Sequence, residues 1–199
     1  MNEAHNELCS SPEWAAYLRV DVLPLVLEGT DLGQDMLEVG PGFGLATDVL
    51  RQRVAKLTAV EIDPALAVGL ALRLTGTNVN VLQGDGTQLP FDTGRFSSAA
   101  SFTMLHHVPS ASKQDALIAE LARVLQPGGV LVGADSLDDA EFREFHRGDV
   151  CVPVDPSDLP HRLERSGFPD AIVGISGEAF WFVARTLDVH RQPWTPFRA

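Results

Sequence analysis

Three short stretches carry residue types that chemistry uses, and their order along the chain points to one ligand. Gly40, Gly42 and Gly44 alternate directly after the apolar run Met36 to Val39, with Pro41 between the first two. A backbone without Cβ atoms turns sharply there and comes close to whatever lies at the N-terminus of the following helix. A nucleotide-like ligand is implied; the plain alternative is a tight strand-to-helix turn that holds nothing. The dinucleotide fingerprint G-x-G-x-x-G needs a third glycine at its sixth position, which counted from Gly40 is Leu45, so a nicotinamide or flavin cofactor is disfavoured.

The second stretch ends in Glu61-Ile62-Asp63-Pro64, with Glu61 placed 21 residues after Gly40. A carboxylate about 20 residues beyond such a turn accepts both hydroxyl protons of a ribose. Asp63 competes for that job, yet it precedes Pro64 in the pattern of an N-cap followed by an N1 proline, which commits its side chain to backbone N–H groups. Glu61 is then the ribose ligand or, alternatively, an exposed strand-end acid. In the third stretch, Gly84-Asp85-Gly86-Thr87, Asp85 either accepts from an adenine amino group while the Gly86 N–H donates to the ring, or closes an Asx-turn on its own backbone.

His106 and His107 follow the fourth apolar run and are the nearest candidates to take a proton from an acceptor. The same pair would serve equally to cap a strand or pack under a loop. A metal reading joins them to His146 or Asp149, but nothing has the spacing of a helical His-x-x-x-His site, and no metal is expected. Arg147 either clamps a substrate carboxylate or sits at a solvated helix end.

These residues need a scaffold, and the apolar patterning supplies one. Strands are expected at Asp35 to Val39, Leu57 to Glu61, Val79 to Leu82, Ser97 to Phe102, Val130 to Asp135, Ile172 to Ile175 and Phe180 to Arg185. Helical spacing falls between them at Leu45 to Arg53, Pro64 to Leu74, Lys113 to Leu125 and Pro156 to Ser166, and Pro127-Gly128-Gly129 is read as the turn that ends the third. Ser10-Ser11-Pro12-Glu13 opens an N-terminal helix carrying Trp14, Tyr17, Leu18, Asp21 and Leu25, which either covers the cleft as a lid or simply packs. Alternating strands and helices specify an α/β fold with a parallel sheet covered on both faces.

A chain of 199 residues fits one domain with a sizeable core. Its division is read as an N-terminal helical cap over 1–33, a ligand-binding core over 34–136, an acceptor-side insertion and final hairpin over 137–188, and a tail over 189–199. The formal charge of −12 disfavours a nucleic-acid groove, which needs clustered Lys and Arg, and suits a small neutral or cationic ligand. No run approaches the roughly 18 apolar residues of a membrane span and the first residues lack a signal peptide pattern, so a cytoplasmic protein is expected. Cys9 and Cys151 are read as reduced bystanders. The segment Arg191 to Phe197 offers apolar surface to a partner subunit, which leaves a homodimer open.

In order and spacing, LEVGPGFG, AVEIDP, GDGTQLPF, SFTMLHHV and ARVLQPGGVLV resemble the class I S-adenosylmethionine-dependent methyltransferases, from about Met36 to Asp135. The likeness is nearest to the methyltransferase domain 11 and ubiquinone-biosynthesis types. It implies a Rossmann-like sheet of order 3-2-1-4-5-7-6 with the last strand antiparallel, S-adenosyl-L-methionine as cofactor and S-adenosyl-L-homocysteine as product. It also implies that Glu38, Gly40, Pro41, Gly42 and Gly44 cradle the amino-acid part and Glu61 the ribose. Ile62 would pack on the purine, Asp85 and Gly86 would read the adenine, and Ser101 would complete the cofactor set. Two departures stand out: Ser97 replaces an aspartate common in the family, and Ser101-Phe102-Thr103-Met104 replaces the Asn/Asp-Pro-Pro-Tyr type motif of amino-methylating nucleic-acid enzymes. AVEIDP also looks like the stretch in ribosomal RNA adenosine dimethyltransferases. The expected activity is in-line methyl transfer to a small-molecule acceptor. A non-catalytic cofactor-binding protein and a methyltransferase for RNA or protein are the alternatives.

Overall fold

The computed structural model describes residues 2–188, apart from the side chains of Glu3 and Ala4; the tail at 189–199, with Arg191 to Phe197, lies outside the described residues. Seven strands form one sheet: β1 (Asp35–Val39), β2 (Lys56–Glu61), β3 (Val79–Gln83), β4 (Phe96–Phe102), β5 (Leu125–Ser136), β6 (Asp170–Ser176) and β7 (Ala179–Arg185). Their spatial order is β3-β2-β1-β4-β5-β7-β6, as the resemblance implied. The first five strands are parallel, and β7 runs antiparallel between β5 and β6.

Strands covered on both faces read as nearly continuous apolar runs, and β1 and β4 are of this kind. One core lies on the face covered by α6 (Ala111–Val124) and α8 (Leu159–Arg165). The other lies under the N-terminal helices, α4 (Leu45–Leu50) and α5 (Pro64–Arg73). The expected apolar stripe of α6 is realised, with Leu117, Leu121, Val124 and Leu125 all buried. Ser97 ties the sheet internally: its hydroxyl lies 2.8 Å from the Leu32 carbonyl and accepts from the Asp35 N–H at 3.1 Å.

The chain starts with α1 (Glu3–Cys9), which the sequence patterning did not signal, and continues through α2 (Pro12–Tyr17), a wider π-turn (Leu18–Val22) and α3 (Leu23–Leu27). Ser11 caps α2 by accepting from the Trp14 N–H at 3.0 Å. Pro24 has no N–H for a helical bond, and the π-turn before it takes up the misfit and shifts the phase by one residue. The buried set is therefore Leu18, Val22, Leu23, Val26 and Leu27, while the expected Leu25 and Asp21 face outward. The end of α6 differs too: the helix stops at Val124, and the segment around Pro127-Gly128-Gly129 is a bulge within β5, where pairing jumps from Phe96↔Leu125 to Ser98↔Val130. α7 (Ala140–Phe145) occupies the region between β5 and β6.

Candidate functional site

The glycine-rich turn joins β1 to α4 at the carboxyl end of the sheet, and Gly40, Gly42 and Gly44 all sit in the left-handed region, with φ of 70°, 53° and 79°. Space constrains the first as well: a Cβ on Gly40 would lie 2.9 Å from Met104 Cγ and Cε. Two side chains from neighbouring elements hold the turn. Glu61, at the end of β2, accepts the Gly42 N–H on Oε2 at 2.9 Å and the Asp63 N–H on Oε1 at 3.0 Å. From the opposite side Arg73 of α5 donates to the Phe43 and Gly44 carbonyls at 3.0 and 3.1 Å and to Asp48 Oδ2 at 2.7 Å. Sequence reasoning missed Arg73, because a cation in the last turn of a helix signals only a favourable place in the helix dipole.

Asp63 is the N-cap of α5, accepting from the Ala65 and Leu66 N–H groups at 2.8 and 3.1 Å, which leaves Glu61 as the cleft's acid. Glu61 is buried, and a carboxylate offers roughly four acceptor positions, so capacity for a ligand hydroxyl remains after its two backbone bonds. Glu38 is only 2% exposed and its Oε2 has no hydrogen-bond partner. Burial, reinforced by the nearby Asp48 and Glu61 charges, pushes its carboxyl up to about 7.

Asp85 does close an Asx-turn: Oδ1 accepts from both the N–H and the hydroxyl of Thr87 at 2.8 Å, which hold the carboxyl below its ordinary value. The adjacent Gly86 is buried where a Cβ would come 2.7 Å from Val39 Cγ1. Together these residues wall a two-lobed cleft. A larger lobe of about 320 Å³ is lined by Glu38, Gly40, Pro41, Gly42 and Glu61 and reaches Trp14. A smaller lobe of about 170 Å³ is lined by Gly84, Asp85 and Gly86, and the two share Gly40, Ile62, Met104 and His107. Ile62, 66% exposed, and Met104 are the apolar side chains common to both. Gly44 lines neither lobe; it caps α4 behind the turn.

Ser101, like Gly44, is an expected site residue that lines neither lobe. Side chains alternate along β4, so Phe102 reaches the cleft while Ser101 points into the opposite core beside Leu105, Ile118 and Phe182. Thr103 follows with a left-handed φ of 49°, and its N–H donates to the Ala134 carbonyl at 2.8 Å. A non-glycine residue held in that conformation beside a cleft is a feature that sequence patterning does not reveal.

The turn after β4 (Leu105–His107) carries the two expected histidines. Gln114 of α6 anchors it, donating to the Leu105 and Val152 carbonyls at 3.0 and 2.8 Å. His106 is buried, with Nδ1 2.5 Å from Asp135 Oδ1 and its backbone N–H donating to Asp135 Oδ2 at 3.1 Å. His107 lines both lobes, its Nδ1 3.1 Å from the Val150 carbonyl. Burial, aided by the proximity of His106, drops its pKa to about 3. Two further histidines join them. His146 lies 4.8 Å from His106 and His5 lies 4.8 Å from His107, ring centre to ring centre. Burial lowers the pKa of both. Arg147, in contrast, pairs with Glu144 on the surface, the solvated helix end of the two readings.

A model of a family described as "methyltransferase domain" matches residues 37–133. An uncharacterized methyltransferase of Geobacillus kaustophilus is 32% identical over 125 residues, 57% of each chain. A probable ribosomal RNA small subunit methyltransferase A of Thermococcus onnurineus is 37% identical over 73 residues, 36% of this chain and 27% of its own. A fatty-acid O-methyltransferase of Mycolicibacterium smegmatis is 29% identical over 132 residues, 61% of this chain and 44% of its own. The chain thus spans from about a quarter to just over half the length of these relatives. Among solved structures, the methyltransferase bound to the Trm112 methyltransferase activator of Haloferax volcanii superposes with a TM-score of 0.72 at 16% identity, covering 95% of this chain and 96% of that one.

Proposed function

The chain belongs to the class I S-adenosylmethionine-dependent methyltransferases through residues 37–133, and from that premise we propose that it transfers a methyl group to a small-molecule acceptor. The observation that carries the cofactor assignment is the pairing of Glu61 with the left-handed glycine turn. It leaves a buried carboxylate with spare acceptor positions beside the open backbone of Gly42. The residues fit S-adenosylmethionine in three further ways. Glu38 offers an orphan carboxylate oxygen to an ammonium, Ile62 offers an apolar face to a purine, and Asp85 and Gly86 wall the smaller lobe. Bound there, the cofactor would supply an electrophilic methyl activated by its sulfonium charge.

What the chain itself must do is place the acceptor's nucleophile in line at contact distance, which is worth on the order of 7–11 kcal/mol when done well. Trp14 and Thr103 border both the larger lobe and a second cavity toward the β6–β7 turn, and we assign the acceptor to that side. His107 lines both lobes and His106 neither, and the His107 ring, with a pKa of about 3, is a poor proton acceptor at neutral pH. An acceptor whose nucleophile needs no deprotonation suits a site without a base, and the acidic lining of both cavities suits a neutral or cationic molecule. The fatty-acid O-methyltransferase relative supports a small-molecule acceptor, whereas the RNA methyltransferase relatives are set against a net charge of −12. Among the described residues no helix is long and apolar enough to cross a membrane.

Thermal unfolding with S-adenosylhomocysteine, beside NAD at equal concentration, tests the reading. At about 100 times its dissociation constant a ligand adds roughly 2.7 kcal/mol, a rise of several degrees. A rise with S-adenosylhomocysteine alone is expected; no rise, or an equal rise with NAD, would overturn the assignment.

A further inference from the structure

The four rings of His5, His106, His107 and His146 converge from three separate parts of the chain: α1, the turn after β4, and the end of α7. One ring nitrogen from each lies within 4.8 Å of the other three. Each Nδ1 faces a group that only accepts: a carboxylate for His5 (Asp149 Oδ2, 3.1 Å) and His106 (Asp135 Oδ1, 2.5 Å), a carbonyl for His107 (Val150, 3.1 Å) and His146 (Phe142, 2.7 Å). Every Nδ1 must therefore carry the proton, and every Nε2 presents a bare lone pair. The Nε2 atoms of His106, His107 and His146 are buried without a hydrogen-bond partner. Lone pairs pointed at one another repel, and buried unmet acceptors are costly, so the arrangement lacks a shared electrophile.

The geometry points to a divalent transition-metal site, of the zinc class, formed by the Nε2 atoms of His5, His106, His107 and His146. Neutral imidazole is a preferred ligand of such ions, and a carboxylate or carbonyl behind each Nδ1 is the usual outer support that fixes the tautomer and raises ligand basicity. Zn–N bonds of about 2.0–2.1 Å in a tetrahedron set the nitrogens roughly 3.4 Å apart, so the present cluster needs only a modest contraction. The charges balance as well, since Asp135 and Asp149 stand directly behind two of the rings and offset a dication. Magnesium and calcium prefer oxygen ligands and do not fit. Because His5 and His107 also line the larger lobe of the cleft, the ion fastens α1 across the cleft's rim. His5 is 101 residues from His106 in the sequence, which is why the spacing of the histidines did not disclose the group.

The test is a titration of the full chain, free of any polyhistidine tag and stripped by a chelator, with Zn2+ or Co2+ alone. One equivalent is expected to bind, with the intense visible absorption of tetrahedral cobalt, while Mg2+ produces no change. His5→Gln and His146→Gln, which leave the His106–Asp135 pair in the core untouched, should each weaken binding at least tenfold with an unaltered circular dichroism spectrum. Absence of saturable binding to the folded wild-type chain, or undiminished binding in both variants, would overturn the site. No methyl donor enters this experiment, so its failure leaves the methyltransferase assignment intact, and a failed S-adenosylhomocysteine shift leaves the metal site intact.

Discussion

Glu61 Oε2 accepts the backbone N–H of Gly42 at 2.9 Å, so the acid assigned to the ribose also holds the turn assigned to the cofactor's amino-acid end. The two contacts assigned to the ligand in the larger lobe are thereby coupled before any ligand arrives. Glu61→Ala removes both the ligand contact and the tether. It should weaken S-adenosylhomocysteine binding by about 1.5–3 kcal/mol, measured by isothermal titration calorimetry. Unchanged affinity would discard the assigned role of Glu61.

Asp63 separates from Glu61 in its consequences. Its Oδ1 caps α5 through Ala65 and Leu66, so Asp63→Ala should lower stability by about 1 kcal/mol in a denaturant melt while leaving cofactor affinity nearly intact.

Glu38 makes stability depend on pH. Its folded pKa of about 7 lies above the ordinary 4.5, so the folded state binds the proton more tightly than the unfolded chain. Stability from this group is greatest below about pH 4.5 and is lost as pH rises through 7, a loss on the order of 3 kcal/mol. Glu38→Gln should flatten that part of the profile and melt higher than wild type at pH 8. An ammonium placed against Glu38 favours its ionised form, so cofactor binding near pH 6 should release a proton, visible as a buffer-dependent enthalpy in the wild type and lost in the variant.

Gly86→Ala tests the close approach at the smaller lobe. The new methyl meets Val39 Cγ1 and Leu117 Cδ1 at 2.7 and 3.0 Å, and overpacking of this kind costs about 1–3 kcal/mol. Thermal melts and S-adenosylhomocysteine affinity should both fall; an unaffected melt would show that the wall yields.

Much of this architecture was legible because its causes are local. Apolar runs specified the strands, and Asp63-Pro64 disclosed a helix start that the structure realises with two capping bonds. The Asx-turn at Asp85 was one of two readings that local chemistry allowed. What stayed hidden depends on distance or phase. Ser101 and Phe102 are neighbours whose sides of the sheet are decided by the pleat, and Leu25 faces outward because one π-turn before Pro24 shifts the helix phase. The partners of His106, namely Asp135, His146 and His5, come from segments that only the folded sheet brings together.

The antiparallel insertion of β7 sets a schedule for biosynthesis. β6 pairs with β7 alone, and β7 is the strand that connects it to β5. Until residues 179–185 have left the ribosome, β6 has no strand to pair with and β5 exposes an open edge beside the first four strands. The nascent chain therefore carries an adhesive border until β7 is made, and the same border is what a premature stop before Ala179 would leave for chaperones and proteases to find.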